Sequence, residues 1–94
     1  MKKYVIERSV AGIGAKSQKD LGAVARQSND ALAKLGSRIQ WQESYVTGDK
    51  TFCIYLAASG EAIHRHAELS GFPANVITEI SAVIDPITAN LRVA

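Results

Sequence analysis

The sequence predicts an α+β domain in which a four-stranded antiparallel sheet carries two helices on one face. Three observations support this fold class: strand-like segments near both ends and in the middle of the chain, two capped helical patterns, and the order of these segments. The length of 94 residues predicts a single domain that covers residues 1–94.

The first strand is predicted over residues 3–8, where side chains alternate between two sides. Tyr4 and Ile6 share one side of this strand, and Val5 and Glu7 share the other. Such alternation is typical of a β-strand.

A glycine-containing loop over residues 9–16 follows the strand and invites comparison with a phosphate-binding loop. That motif needs a glycine directly before its lysine and another five residues earlier, whereas Ala15 and Val10 occupy those positions. The dinucleotide-binding pattern fails as well, because Ser17 stands where its third glycine belongs. We therefore expect an ordinary connection here.

Ser17 is the predicted start of the first helix, and Asp20 suits the positive end of the helix dipole. Gly36 ends the helix, since glycine readily takes the left-handed conformation that follows many helices. Six residues at helical spacing form the predicted buried stripe: Leu21, Val24, Ala25, Ser28, Leu32 and Leu35.

Residues 38–57 form a predicted β-hairpin, in which Gly48 can take the positive φ of a tight two-residue turn. That turn places six hairpin residues on one face: Trp41, Glu43, Tyr45, Phe52, Ile54 and Leu56. Because the last three are the most apolar set of the inner strand, we expect this face to lie under the helices. A carboxylate is unusual there, so either a β-bulge turns Glu43 away or a partner such as His66 or an arginine meets it.

A second helix is predicted from Ser59 to about Ser70, ended by Gly71 and the nearby Pro73. Residues 76–84 alternate again and form the predicted fourth strand.

The order strand, helix, strand, strand, helix, strand is that of the ferredoxin-like βαββαβ fold. Right-handed crossovers place both helices on one side of the sheet and leave the other side uncovered. We expect nine residues on the uncovered side: Val5, Glu7, Thr51, Cys53, Tyr55, Ile77, Glu79, Ser81 and Val83.

That uncovered side is too apolar to face water over a whole sheet. We therefore expect a homodimer of the dimeric α+β barrel type, with a half-apolar monomer as the alternative. Glu7 and Glu79 would lie in or beside the interface, either paired with basic residues across the dimer or lining a metal or small-molecule cavity.

His64 and His66 point about 200° apart on a helix, so the two imidazoles cannot bind one ion together. His66 falls on the apolar side, where it needs a polar partner such as Glu43 or a hydroxyl group. His64 shares the exposed side with Glu61 and Glu68, and these three form either a weak surface metal site or ordinary solvated charges.

Cys53 lies on a central strand, where a lone cysteine is more often a small apolar side chain than a nucleophile. The sequence has no second cysteine and no CxxC or HExxH motif, which excludes a closed structural zinc site within one chain.

The composition is that of a globular protein, with 47% hydrophobic and 21% charged residues. A net charge of +2 with scattered basic residues disfavours nucleic-acid binding. No apolar run approaches the ~18 residues needed to cross a bilayer, so we expect no membrane partner. One cysteine and no signal peptide fit a bacterial, cytoplasmic protein.

Several blocks carry a match to known proteins, which covers nearly the whole chain: the segment 41–45, Asp49-Lys50, Cys53, His66-Ala67 and Gly71-Phe72-Pro73. On these blocks the chain resembles a family of small bacterial proteins of unknown function, whose best-known member is described as a nickel-binding protein. The resemblance implies a ferredoxin-like fold, a dimer, and nickel or another divalent metal ion as ligand.

Three functions remain open at this point. The first is a metal-binding or metal-responsive homodimer, whose metal ligands would come from His66, Cys53, Glu43, Tyr45 and Glu79, with His64 as an outer candidate. The second is a cofactor-free enzyme, a monooxygenase or isomerase, that binds a small apolar substrate between sheet and helices. In that enzyme His66 would be the acid or base and Tyr45 a hydrogen-bond donor. The third is an interaction module. No organic cofactor is expected.

Overall fold

The computed structural model describes residues 1–90 and confirms the ferredoxin-like α+β fold. The elements are β1 (Lys2–Ser9), α1 (Gln18–Leu35), β2 (Ile39–Val46), β3 (Lys50–Ala57), α2 (Gly60–Ser70) and β4 (Val76–Ile80). The strands form one antiparallel sheet in the order β2-β3-β1-β4. Neither helix in this part of the chain is long and apolar enough to cross a membrane.

The predicted helix ends at Ser17, Gly36 and Gly71 are confirmed, whereas Ser59 precedes α2 without forming a side-chain capping hydrogen bond. The hydroxyl oxygen of Ser17 accepts a 3.2 Å hydrogen bond from the amide of Asp20 at the start of α1. Gly36 and Gly71 follow the two helices with φ values of 63° and 77°. Gly48, by contrast, has no positive φ, so the turn conformation predicted for the hairpin was wrong.

The helices cover the face of β3 opposite to the one predicted. The core consists of residues from β1, β2, β3 and α2: Tyr4, Ile6, Ile39, Cys53, Tyr55, Ala57, Ala62 and Ile63. Phe52, Ile54 and Leu56 lie on the other side of the sheet, so their predicted position under the helices was wrong. Both faces of the sheet therefore carry apolar side chains.

A β-bulge in β2 changes the predicted register of the hairpin. Trp41 pairs with Tyr55 and Glu43 pairs with Ile54, which leaves Gln42 as the extra residue. The bulge therefore turns Trp41 towards the side of the sheet that the helices cover. Glu43 lies on the opposite side, together with Ile54.

We call the side of the sheet away from α1 and α2 the open face. Its residues follow from the strand registers: Lys3, Val5, Glu7, Gln40, Glu43, Tyr45, Lys50, Phe52, Ile54, Leu56, Val76, Thr78 and Ile80. The predicted positions of Val5 and Glu7 on this face are confirmed.

The fourth strand is shorter than predicted and shows its other side to the helices. It ends at Ile80, because Ile80 pairs with Lys3 near the start of β1 and few further partners remain. Ile77 and Glu79 pair with core residues of β1 and so lie on the covered side of the sheet, contrary to the prediction.

Candidate functional site

A cavity of about 410 Å³ lies between α1 and the covered face of the sheet. Its apolar walls include Ile13, Leu21, Val24, Trp41, Val46 and Phe72. Its polar lining residues are Arg8, Lys16, Ser28, Ser44, Thr51, Cys53 and Tyr55. The volume lies within the range of small-molecule pockets, roughly 300–1,000 Å³.

The predicted buried stripe of α1 forms one wall of this cavity. Leu21, Val24, Ala25 and Ser28 all line it, and of these four only Ser28 is buried. The stripe is therefore half-buried because α1 stands off from the sheet at this end.

A buried polar network lies at the base of the cavity, which we call the Arg8–His66 network; its members are Arg8, Tyr55, Ser28 and His66. The hydroxyl of Ser28 is 3.1 Å from Nε2 of His66. The rings of Tyr55 and His66 pack with their centroids 5.4 Å apart. Burial raises the pKa of Tyr55, while a hydrogen bond with Ser28 and the charge of Arg8 oppose that rise.

His66 is fully buried, with 0% of its surface exposed, which confirms its predicted position on the apolar side of α2. Of the two partners considered, the structure supplies the hydroxyl group, from Ser28, and places Glu43 on the open face. Burial, and then the nearby charge of Arg8, lower the pKa of His66. Its Nδ1 atom has no hydrogen-bond partner within residues 1–90.

Arg8 is the residue of this site that sequence reasoning missed. Only 3% of its surface is exposed, and its Nη1 atom donates a 2.7 Å hydrogen bond to the carbonyl oxygen of Pro73. Its Nη2 atom is buried without a partner among the described residues. The strand alternation that places Tyr4 and Ile6 in the core also points Arg8 inwards, and this was the available signal.

The six predicted metal ligands lie in different parts of the molecule. Cys53 lines the cavity, and His66 is buried in the core behind Ser28. His64 is exposed on the outer side of α2. Glu79 is also exposed, and its carboxylate forms a 3.2 Å ion pair with Lys2.

Glu43 and Tyr45, the remaining two, are neighbours on the open face. A hydrogen bond with Glu43 and the negative charge of that carboxylate raise the pKa of the Tyr45 hydroxyl. The carboxylate of Glu7 lies on the same face but is bound by Lys50 at 3.0 Å.

No group of three His, Cys, Asp or Glu side chains within residues 1–90 is arranged to hold a metal ion. The surface set of His64, Glu61 and Glu68 is thus not gathered into a site either. Nickel takes several converging nitrogen, oxygen or sulfur ligands. The described residues of a single chain therefore do not fit a nickel site.

The loop compared above with a phosphate-binding motif has its amides engaged by the hairpin turn. The amides of Val10 and Gly12 donate to the carbonyl oxygen and the carboxylate of Asp49, each at 2.9 Å. The amide of Gly14 donates to the carbonyl oxygen of Gly48 at 3.0 Å. These amides are not free to bind a phosphate, in agreement with the sequence interpretation.

Comparison with known proteins places this arrangement in context. Residues 4–80 match the model of the SCO4226-like family, described as nickel responsive proteins. A crystal structure of SCO4226 from Streptomyces coelicolor A3(2) superposes with a TM-score of 0.72 at 15% sequence identity. The match covers 87% of this chain and 99% of that one, and it supports the fold. No curated protein matches the chain.

Proposed function

We propose that this chain, which belongs to the SCO4226-like family of nickel responsive proteins, is a homodimeric binding protein for a small, mainly apolar molecule. The cavity under α1 carries the proposal. Protein interiors are normally close-packed, so a cavity of about 410 Å³ next to the core is space for a ligand.

The open face supports the homodimer. Three alternate residues of β3 on this face are large and apolar, namely Phe52, Ile54 and Leu56. Tyr45 and Val76 beside them are 55% and 48% exposed. Apolar surface of this extent commonly marks a protein interface, and an identical sheet packed face to face would cover it.

A neutral fluorescent probe tests ligand binding directly. We expect N-phenyl-1-naphthylamine to bind saturably at one site per chain with increased emission, because the cavity walls are apolar. Ala25→Phe fills the cavity from α1 and should abolish that signal, whereas Ala33→Phe on the exposed side of the same helix should retain it. Absence of saturable emission in the wild type would refute the proposed function.

Nickel binding is the second candidate function, favoured by the family description and by the neighbouring oxygen ligands of Glu43 and Tyr45. Because residues 1–90 of one chain do not gather enough ligands, such a site would need groups from a second copy across the open face.

Calorimetry with Ni²⁺ on tag-free protein tests this second candidate. Micromolar binding that is lost in Glu43→Gln and retained in Glu61→Gln would support a site on the open face. No heat above that of the buffer control would eliminate nickel binding.

A further inference from the structure

We infer that the cavity under α1 selects a ligand with one carboxylate on an apolar body, and that the guanidinium of Arg8 holds this carboxylate. The inference rests on the proposed function and adds to it the chemical class of the ligand. Three independent features of the cavity support it: the state of Arg8, the charges of the lining, and the small number of donors at its base.

The first feature is a buried cation that lacks a counterion. Arg8 lines the cavity with 3% of its surface exposed, and within residues 1–90 it forms no ion pair. Nη1 donates to the carbonyl oxygen of Pro73, but buried Nη2 has no acceptor in the described part of the chain. Burying a guanidinium without a carboxylate costs several kcal/mol unless something else compensates it. A bound anion would supply both the acceptor and the opposite charge.

The second feature is the sign of the charges around the cavity. Among residues 1–90 no Asp or Glu side chain lines it, whereas Lys16, an exposed residue, adds a second cation to the lining. At the base, burial lowers the pKa of His66 and so disfavours its charged form, which leaves the guanidinium of Arg8 as the cation there. An anion is therefore attracted to the cavity, and an organic cation is repelled from it.

The third feature limits the size of the anionic group. Nη1 of Arg8 is occupied, Nη2 has no acceptor among residues 1–90, and Thr51 and Tyr55 each contribute a hydroxyl group to the lining. The hydroxyl of Ser28 is already engaged with His66. This small set of donors suits the two oxygens of a carboxylate, whereas a phosphate dianion requires more donors and more charge. The apolar walls then receive a hydrocarbon or aromatic body.

Calorimetric titration with octanoate and octanamide tests the inference, because these probes share a chain and differ in the charge of the head group. We expect octanoate to bind at least tenfold more tightly to the wild type. Arg8→Met should reduce that ratio to about one and leave octanamide binding in place, while Lys16→Met should retain most of the preference.

Equal affinities of the two probes for the wild type would overturn the role of Arg8 while leaving the cavity as a binding site. Failure of both probes, together with failure of N-phenyl-1-naphthylamine, would refute the proposed function itself. An unchanged octanoate preference in Arg8→Met would also overturn the inference.

A measurement on the wild type keeps the inference testable if Arg8→Met does not fold. In complex with the protein, the carboxyl resonance of [1-¹³C]octanoate should titrate at lower pH than in free octanoate, because a guanidinium favours the ionised form. Titration at the same or a higher pH would show that the carboxylate does not meet Arg8.

Discussion

His66 and Arg8 are two basic residues buried within one polar network, and each has an atom without a hydrogen-bond partner among residues 1–90. Arg8 lines the cavity and its Nη2 atom is buried, and Nδ1 of His66 lies in the core. A buried unsatisfied polar group costs about 1–3 kcal/mol. These two unpaired groups therefore lower the stability of the folded protein and leave polar atoms that can bind a ligand or a proton. Protonation of His66 should consequently affect folding.

The stability of the protein should fall on acidification because of His66. Its pKa is lowered in the folded state, so the unfolded chain takes up a proton first as the pH falls below the ordinary value of about 6.5. The free energy of unfolding should then decrease below that pH, by at most about 1.4 kcal/mol per pH unit from this one group. Above that pH His66 is neutral in both the folded and the unfolded chain, so it causes no further change in the free energy of unfolding.

Urea unfolding between pH 7.5 and 5.5 measures this effect. His66→Gln should be less stable at neutral pH but should show a flatter dependence on pH than the wild type. The matched control is His64→Gln on the exposed side of the same helix, in which the wild-type slope should persist. An identical slope in His66→Gln would show that another group is responsible.

At the scale of elements, the loop before α1 and the hairpin turn form one unit. The carboxylate and carbonyl of Asp49 bind two amides of the loop, and the carbonyl of Gly48 binds the amide of Gly14. This contact fixes the end of α1 that borders the cavity, since the loop leads directly into the helix. Because Gly14 has no side chain, the backbone of the loop can lie close to the backbone of Thr47 and Gly48 in the hairpin turn.

Gly14→Ala should destabilise the protein by about 1–3 kcal/mol, as is typical of overpacking. The added Cβ would overlap the carbonyl oxygen of Thr47 and lie 2.8 Å from Cα of Gly48, and backbone atoms cannot move aside easily. Urea unfolding gives the change in free energy. Gly22→Ala is the control: its Cβ would meet only the flexible end of Arg26, and alanine favours a helix over glycine by about 1 kcal/mol. Equal changes in the free energy of unfolding for Gly14→Ala and Gly22→Ala would contradict the close contact between Gly14 and the hairpin turn.

At the scale of the whole molecule, the sheet has two apolar faces, and the helices of residues 1–90 cover one of them. The helices and the cavity occupy the covered side, and the open face carries Val5, Phe52, Ile54 and Leu56. Half-buried aliphatic and aromatic residues on a sheet without helices over it are typical of a subunit interface.

We expect a homodimer in solution, with twice the 10.1 kDa mass of the chain in light scattering. Ile54→Glu places a charge in the middle of the open face and should shift the mass towards that of the monomer. Leu69→Glu alters an apolar residue of α2 that is 40% exposed on the other side of the molecule, and this variant should remain dimeric. A wild-type protein that is monomeric at all concentrations tested would exclude this interface.

Properties that depend on near neighbours in the chain could be predicted from the sequence. They include the order of the elements, the helix caps at Ser17, Gly36 and Gly71, and the inward position of His66. Each of these properties depends on the backbone preference of a few residues or on the periodicity of one element. Contacts with the rest of the chain reinforce these properties but do not reverse them.

Only the tertiary structure decided which face of the hairpin the helices cover, where the bulge turns Trp41, and that Arg8, Ser28 and His66 meet beside a cavity. The physical reason is that these properties depend on contacts between β1, α1 and α2, which are far apart in the sequence. When both faces of a sheet are apolar, the packing of whole elements, rather than the hydrophobicity of one strand, determines which face becomes the core.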